Sequence, residues 1–184
     1  MDLKRCDPNL AREIFSEFVD YNAENGKMFW KVRDKKWFHK EGVWKRWNSR
    51  YSKNEVGSVN HYGYRVFAVF NRLYHVSRVA WLLSTGAWPE QEIDHIDGNK
   101  TNNRLSNLRE ATRQENGRNK HYAYGEVPLK GVSKYKHKYR AHLGVDKKQV
   151  HLGYFDDAES AHAAYRKAAE ERYGEFWNPG DRGL

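Results

Sequence analysis

Four residues within one short stretch are of the types that phosphodiester hydrolysis needs. Between Glu92 and Asn119 the chain reads EIDHIDGNKTNNRLSNLREATRQENGRN, with an Asp-His pair at 94–95 and asparagines at 107 and 116. Cleaving a phosphodiester near neutral pH requires a base to deprotonate water and a divalent cation to absorb negative charge, with ligands for that cation. His95 suits the base, because an imidazole with a free pKa of about 6.5 is largely neutral at working pH. Asp94 offers a hard anionic oxygen and the Asn116 side chain a neutral one, both suited to Mg²⁺ or Mn²⁺ rather than to a soft metal. Asn107, between Ser106 and Leu108, carries a donor and an acceptor with which to pin the intervening loop.

The elements around these residues can bring them together. Glu92 to His95 reads as a strand end, in which Asp94 and His95 point to opposite faces unless the backbone bends. Asp97-Gly98-Asn99 turns the chain, and Thr112 with Glu115 forms a capping-box pattern, so a helix starts near Arg113 with Asn116 in its first turn. A strand end can then face a helix N-terminus across a loop, bringing Asp94 near Asn116. An Asp-His pair alone is usually a polar loop; the whole pattern at these spacings is far more specific.

The stretch resembles the HNH nuclease motif of ββα-metal type, in the phage homing-endonuclease subgroup whose third position is Asn. The similarity extends upstream through Tyr74-His75-Val76-Ser77-Arg78-Val79-Ala80-Trp81 and the Thr85-Gly86 turn, covering roughly residues 20–120. The resemblance implies that His95 activates water, that Asp94 and Asn116 bind one divalent ion and that Asn107 orders the loop.

Composition agrees with a nucleic-acid partner without demanding one. The 184 residues carry a formal net charge of +9, a pI near 9.5 and a mean hydropathy of −1.03. These values suit a polyanion binder, although a basic structural protein would share them. No apolar run approaches the length of a membrane span and the polar N-terminus is no signal peptide, so no membrane partner is expected. The single cysteine, Cys6, permits neither an internal disulfide nor a multi-cysteine zinc site. An intracellular protein is expected, in the cytoplasm of a bacterial host if the chain is phage-encoded. A monomer is compatible with this sequence, which leaves the oligomeric state open.

Asp7-Pro8 opens a helix whose Leu10, Ile14, Phe15, Phe18 and Val19 share a face, and Asn25-Gly26 marks a hairpin. Residues 27–53 hold ten Lys/Arg against two acids, with Trp37, Phe38, Trp44, Trp47 and Tyr51 interleaved, and are expected as a basic hairpin region. Lys45, Arg46 and Arg50 are its candidate DNA contacts, the aromatic rings either stacking on bases or filling a small core. Residues 62–70 alternate as a strand. Ser77 is expected to cap a helix with Val79, Leu82 and Leu83 inward, ended by Gly86, and His75 before it is more readily structural than phosphate-binding.

The expected organisation is α+β: an N-terminal nuclease domain over 1–120, a linker over 121–129, a DNA-binding module over 130–177 and a tail over 178–184. In the module, alternation places Tyr139, Ala141 and Leu143 inward on one strand and Val150, Leu152 and Tyr154 inward on the next. Asp156 is expected to cap a helix, Glu159 to complete its box and Gly174 to end it, with Ala158, Ala161, Tyr165, Ala168 and Ala169 inward. Residues 130–151 carry seven Lys/Arg and one acid, whereas 156–175 carry three Lys/Arg and six acids. The helix covers one sheet face, so the other carries the basic set, a surface suited to a DNA groove. Candidate contacts are Lys134, Lys136, Lys138, Arg140, His142, Lys147, Lys148 and His151.

Lys130-Gly-Val-Ser, Tyr139-Arg-Ala, Leu152-Gly-Tyr-Phe-Asp and the following helix with Glu175-Phe176 resemble an APETALA2-type, ethylene-response-factor-like domain. That resemblance implies a three-stranded antiparallel sheet plus one helix, the sheet entering the major groove. Ser133, Lys134 and Lys136 stand where plant members are richer in Arg, so the resemblance does not fix the base contacts or the target. The leading expectation is a site-preferring, Mg²⁺- or Mn²⁺-dependent endonuclease of homing type acting on double-stranded DNA. A sequence-specific DNA-binding regulator with an inactive HNH fold is the alternative, and a nonspecific or RNA-directed nuclease a third.

Overall fold

The computed structural model describes residues 1–119, 126–146 and 148–179. Lys147, the linker residues 121–125 and the tail residues 180–184 lie outside the described residues. The chain forms two compact units, Met1–Ala111 and Thr112–Leu184. They divide before the helix that carries Asn116, earlier than the sequence suggests.

In the first unit, helix α1 (Pro8–Phe18) is capped by Asp7, whose carboxylate accepts the N–H groups of Asn9 and Leu10, with Pro8 in its first turn. Ala11, Ile14, Phe15 and Phe18 are buried, but Leu10 is 43% exposed. The chain turns directly into strand β1 (Val19–Tyr21), paired antiparallel with β2 (Met28–Trp30) through the Asn25-Gly26 hairpin. The expected basic hairpin continues differently: residues Glu41–Tyr51 form helix α2. Its aromatic residues fall three and four apart, at Trp44, Trp47 and Tyr51, so a helix gathers them on one side where a strand would scatter them.

Strand β3 (Ser58–Val59), β4 (Arg65–Val69) and β5 (Arg72–His75) form a meander, turning at Phe70-Asn71 with both residues at positive φ. Helix α3 (Val76–Thr85) follows at once and ends at Gly86 in the left-handed conformation. His75 rather than Ser77 is its N-cap residue; Ser77 is inside the first turn and buried. Strand β6 (Glu92–His95) then pairs antiparallel with β7 (Leu108–Ala111). Phe15, Phe18, Phe67, Tyr74, Val79 and Leu82 centre one large core. Phe15 meets Phe67, Tyr74 and Trp88 edge-on, an arrangement that aromatic quadrupoles favour.

The second unit begins with helix α4 (Arg113–Arg118), whose Thr112–Glu115 capping box is complete in both directions. Strands β8 (Val132–Tyr135), β9 (Lys138–Val145) and β10 (Lys148–Phe155) form an antiparallel sheet in the order β10-β9-β8, followed by helix α5 (Ala158–Tyr173). The cap of α5 is Asp157, not Asp156: its carboxylate accepts Ser160 N–H and Oγ–H. Ala161, His162, Tyr165 and Ala169 are buried on its inner side. The small alanines let the helix approach closely; at Gly131, φ +76°, a Cβ would run into the Tyr165 ring.

A β-bulge between His151 and Gly153 corrects the expected facing of β10. The extra residue, Leu152, packs on the core, and the alternation shifts after it. Tyr154, expected inward, pairs with Arg140 and is 48% exposed, while Phe155 takes the inward place. Among the described residues no helix is long and apolar enough to cross a membrane.

Candidate active site and nucleic-acid interface

Asp94 and His95 end β6, and both are buried, at 4% exposure each. A fully exposed edge would leave one of two neighbouring strand residues in solvent, so this end of β6 is covered on both sides. Opposite Asp94 in register stands Arg109 of β7. Its Nε and Nη2 donate to Asp94 Oδ2 at 2.9 and 2.8 Å. The guanidinium thus fixes the carboxylate in place through a charge-assisted contact stronger than a neutral one.

His95 is held from the other side. Its Nε2 lies 3.2 Å from Oδ1 of Asn103, itself 2% exposed. The amide is oriented by its own Nδ2, which donates to Thr101 O at 3.1 Å, so Oδ1 faces the imidazole. An amide oxygen only accepts, hence Nε2 carries the proton and the lone pair sits on Nδ1. Burial pushes the imidazole pKa below its ordinary value, although Asn103, Asp97 and Asp94 pull it up. The net effect keeps His95 neutral and able to accept a proton. Tyr64 packs beside it, ring centroids 6.0 Å apart, and meets His75 edge-on at 5.2 Å. Burial likewise lowers the His75 pKa.

Asn107 binds the loop at four points. Its Oδ1 accepts Asp97 N–H at 3.0 Å, its Nδ2 donates to Asp97 Oδ1 at 2.9 Å and to Asn102 O at 2.8 Å, and its carbonyl accepts Ile96 N–H at 2.9 Å. Burial raises the Asp97 carboxyl pKa, but hydrogen bonds from Asn102, Asn107 and Asn99 outweigh it and hold Asp97 below the usual range. The β1–β2 hairpin braces the same loop: Tyr21 Oη donates to Asn103 O at 2.8 Å and Leu105 N–H to Ala23 O at 3.0 Å. Gly26, at φ +73°, is where the two backbones touch, since a Cβ there would overlap Arg104 N.

The structure therefore brings Asp94, His95 and Asn107 together in the first unit. Asn116 lies in the second, in the first turn of α4, its N–H donating to Thr112 O at 2.9 Å. Asn103 and Arg109 are the site residues that motif reading passes over. Arg109 could have been found by pairing the two short strands; Asn103 had no signal, because only the folded loop gives it a partner. The donor set suits a hard cation through the buried Asp94 carboxylate. Among the described residues no three His, Cys, Asp or Glu side chains gather as a metal cluster, so such an ion needs neutral oxygen ligands as well.

With this geometry in view, residues 74–118 match the family described as HNH endonuclease. The match spans α3, β6, β7 and the first part of the second unit. A protein of Acanthamoeba polyphaga mimivirus, named as an uncharacterized HNH endonuclease, is 39% identical over 87 residues, 47% of this chain and 46% of its own length. The chain thus spans about half the length of that curated relative. No solved structure matches the chain significantly.

In the second unit, register decides which basic residues share the sheet face away from α5. Arg140 and His142 alternate with the buried Ala141 and Leu143, and their cross-strand partners are Ser133, Tyr154 and His151. Tyr154 contacts the rings of Tyr135 and His151, at 5.1 and 4.6 Å, so the open face mixes aromatic and basic groups. Lys138, paired with Tyr135, belongs to it and also meets Asp156 at 3.2 Å. Lys134 and Lys148 do not: they align with Tyr139 and Val145 on the helix-covered side, and Lys134 pairs with Glu126. Lys136 sits in the β8–β9 turn at φ +55°. In the first unit Lys45 is paired with Glu41 at 2.8 Å, Arg46 is exposed and Arg50 lies over the Tyr51 ring. Lys130 is turned inward, donating to the carbonyls of Arg118 and Asn178, and burial brings its pKa down to about 8.

Proposed function

We propose that this protein is a divalent-metal-dependent DNA endonuclease of homing type that uses His95 as general base and a single ion. The observation that carries it is the buried Asp94–His95 pair, with His95 tautomerically oriented by Asn103, inside the segment that matches the HNH endonuclease family. His95 Nδ1 takes a proton from the attacking water. Asn103 holds the ring and accepts from Nε2–H, which strengthens as the imidazole gains charge. Asp94 and Asn116 would hold Mg²⁺ or Mn²⁺, with Arg109 keeping the Asp94 carboxylate oriented. When bound, the ion stabilises charge on the scissile phosphate and its leaving oxygen. Asn107 keeps the loop closed around these groups.

The open face of the β8–β10 sheet is the proposed reader of double-stranded DNA, in the manner of an APETALA2-type domain. Its support is the register that gathers Lys138, Arg140, His142, His151 and Tyr154 on one face. Phosphate contacts position such a module and side chains at base edges give choice.

The test is single-turnover cleavage of bound duplex across a Mg²⁺ titration, run beside a binding assay. His95→Ala should lower the rate by about 10²–10⁴-fold, the usual range for general acid–base catalysis, with little change in affinity. Asn116→Ala should be partly rescued by excess metal. A His95→Ala protein that cuts at the parental rate removes the base, and a parental protein that binds but never cuts favours the regulator.

A further inference from the structure

The first unit holds a second polar site, remote in sequence from β6 and β7. Between α2 and the β2 and β4 strands lies a cavity of about 670 Å³ lined by Trp30, Arg33, Trp47, Arg50, Tyr51 and Glu55, among others. This is within the usual size of small-ligand sites, about 300–1,000 Å³.

Arg33 is the unusual member. Its backbone is latched to α2: its N–H donates to Asn48 Oδ1 at 2.9 Å, and its carbonyl accepts from Trp44 Nε1 and Asn48 Nδ2 at 2.8 and 3.0 Å. The side chain is thereby fixed with its guanidinium 4.0 Å from the centre of Trp47, 4.2 Å from Phe18 and 4.7 Å from Trp30. Its Nε is buried with no hydrogen-bond partner. Burial lowers its pKa to about 10, so it stays charged at neutral pH. Among the described residues no carboxylate pairs with it, and the acid in the lining, Glu55, is engaged by Arg65 at 3.5 Å. Three aromatic faces offset part of the desolvation, but a charge in such surroundings is normally matched by an anion.

Arg50 brings a second guanidinium to the same cavity, beside Tyr51, which is 38% exposed and packs on Trp47 with centroids 5.4 Å apart. Two cations answer a phosphate, and flat aromatic walls answer a base. The cavity is too small for a duplex. We propose that it binds one unpaired nucleotide of a DNA strand, the phosphate on Arg33 and Arg50 and the base against Trp47 and Tyr51. The identity of the strand rests on the DNA reading above; the binding itself requires neither His95 nor a metal.

The full chain is titrated, without metal, with a short oligothymidylate, with thymidine 5′-monophosphate and with thymidine, reading the indole N–H resonances by NMR with Trp47→Phe for assignment. The oligothymidylate should shift Trp47 and Trp30 and saturate first, the monophosphate should follow at the same resonances, and thymidine should bind about tenfold more weakly, having lost its charge-assisted contacts. Arg50→Ala and Tyr51→Ala, both on exposed parts of α2, should each weaken oligothymidylate binding about tenfold. Arg33→Lys tests the buried charge; should it fail to fold, the two surface variants decide alone. Unshifted Trp47 and Trp30, thymidine binding as well as the monophosphate, or unchanged affinity in both surface variants overturns the site. A monophosphate that outcompetes the oligothymidylate overturns the strand as ligand and makes it a free nucleotide. Binding here by a chain that never cuts would remove the nuclease reading and leave the pocket; cleavage without this binding would do the reverse.

Discussion

The two units bury different things. The first has a broad aromatic core and sinks four polar side chains, Asp94, His95, Asn103 and Asn107, at one end of it. The second is held by two small clusters built on alanines beneath a sheet and leaves that sheet's other face open. A large core can supply the surplus needed to desolvate charges, so the buried polar cluster sits beside the larger core. A thin core on one side of a sheet leaves the opposite face open to solvent. Buried Asp94–Arg109 and exposed Lys134–Glu126 express the same contrast among ion pairs.

That contrast between pairs predicts the largest difference. Arg109→Met strands a buried carboxylate and should destabilise the first unit by about 3–5 kcal/mol in urea unfolding. Lys134→Met should cost the second unit less than about 1 kcal/mol, because its pair is solvated. Comparable costs would show that burial does not separate the two units.

Next come the two glycines at close backbone approaches. Gly26→Ala and Gly131→Ala should each lose about 1–3 kcal/mol, through strained positive φ and steric overlap. Only Gly26→Ala should also slow single-turnover cleavage, since it displaces the Asn103–Arg104 backbone that holds His95. Cleavage slowed equally by Gly131→Ala would break the division of labour.

A smaller effect is expected on the open face. Arg140→Ala and Tyr154→Ala should each narrow the ratio of preferred-site to random-duplex affinity by about 1–3 kcal/mol, whereas Lys148→Ala, on the covered side, should not. Competition binding at fixed salt measures this, and an equal loss from Lys148→Ala would refute the register argument.

The smallest is a pH effect confined to the second unit. Burial, with Arg140 on the same strand and His151 across from it, lowers the His142 pKa. The folded state then resists protonation more than the unfolded chain does. The contribution is complete above the free value of about 6.5 and is lost as pH falls through the lowered folded pKa. Thermal unfolding followed from about pH 6.5 down to the lowered folded pKa should therefore show a steeper decline in the parent than in His142→Gln, and identical slopes across that window would exclude His142.

Much of the local structure was legible in the sequence because its causes are local. The Thr112–Glu115 box, the Asp7-Pro8 start, the Gly86 stop and the Asn25-Gly26 hairpin each satisfy backbone groups within a few residues. Periodicity by itself misplaces elements that are interrupted. Helix α2 was hidden by charge between its aromatics, and the bulge at Leu152 reversed Tyr154.

The candidate site divides the same way. Residue types together with their spacing marked Asp94, His95, Asn107 and Asn116 as groups capable of serving as base, hard ligand and loop pin. The partners came from the fold: Arg109 depends on β6–β7 register, Asn103 on a loop braced by a hairpin some eighty residues earlier, and the Arg33 cavity on α2 folding over β2. Sequence determines which groups are capable of a role. Tertiary structure decides which of them lose water and which neighbour compensates, because desolvation is set by everything packed around a group and not by the residues beside it in the chain.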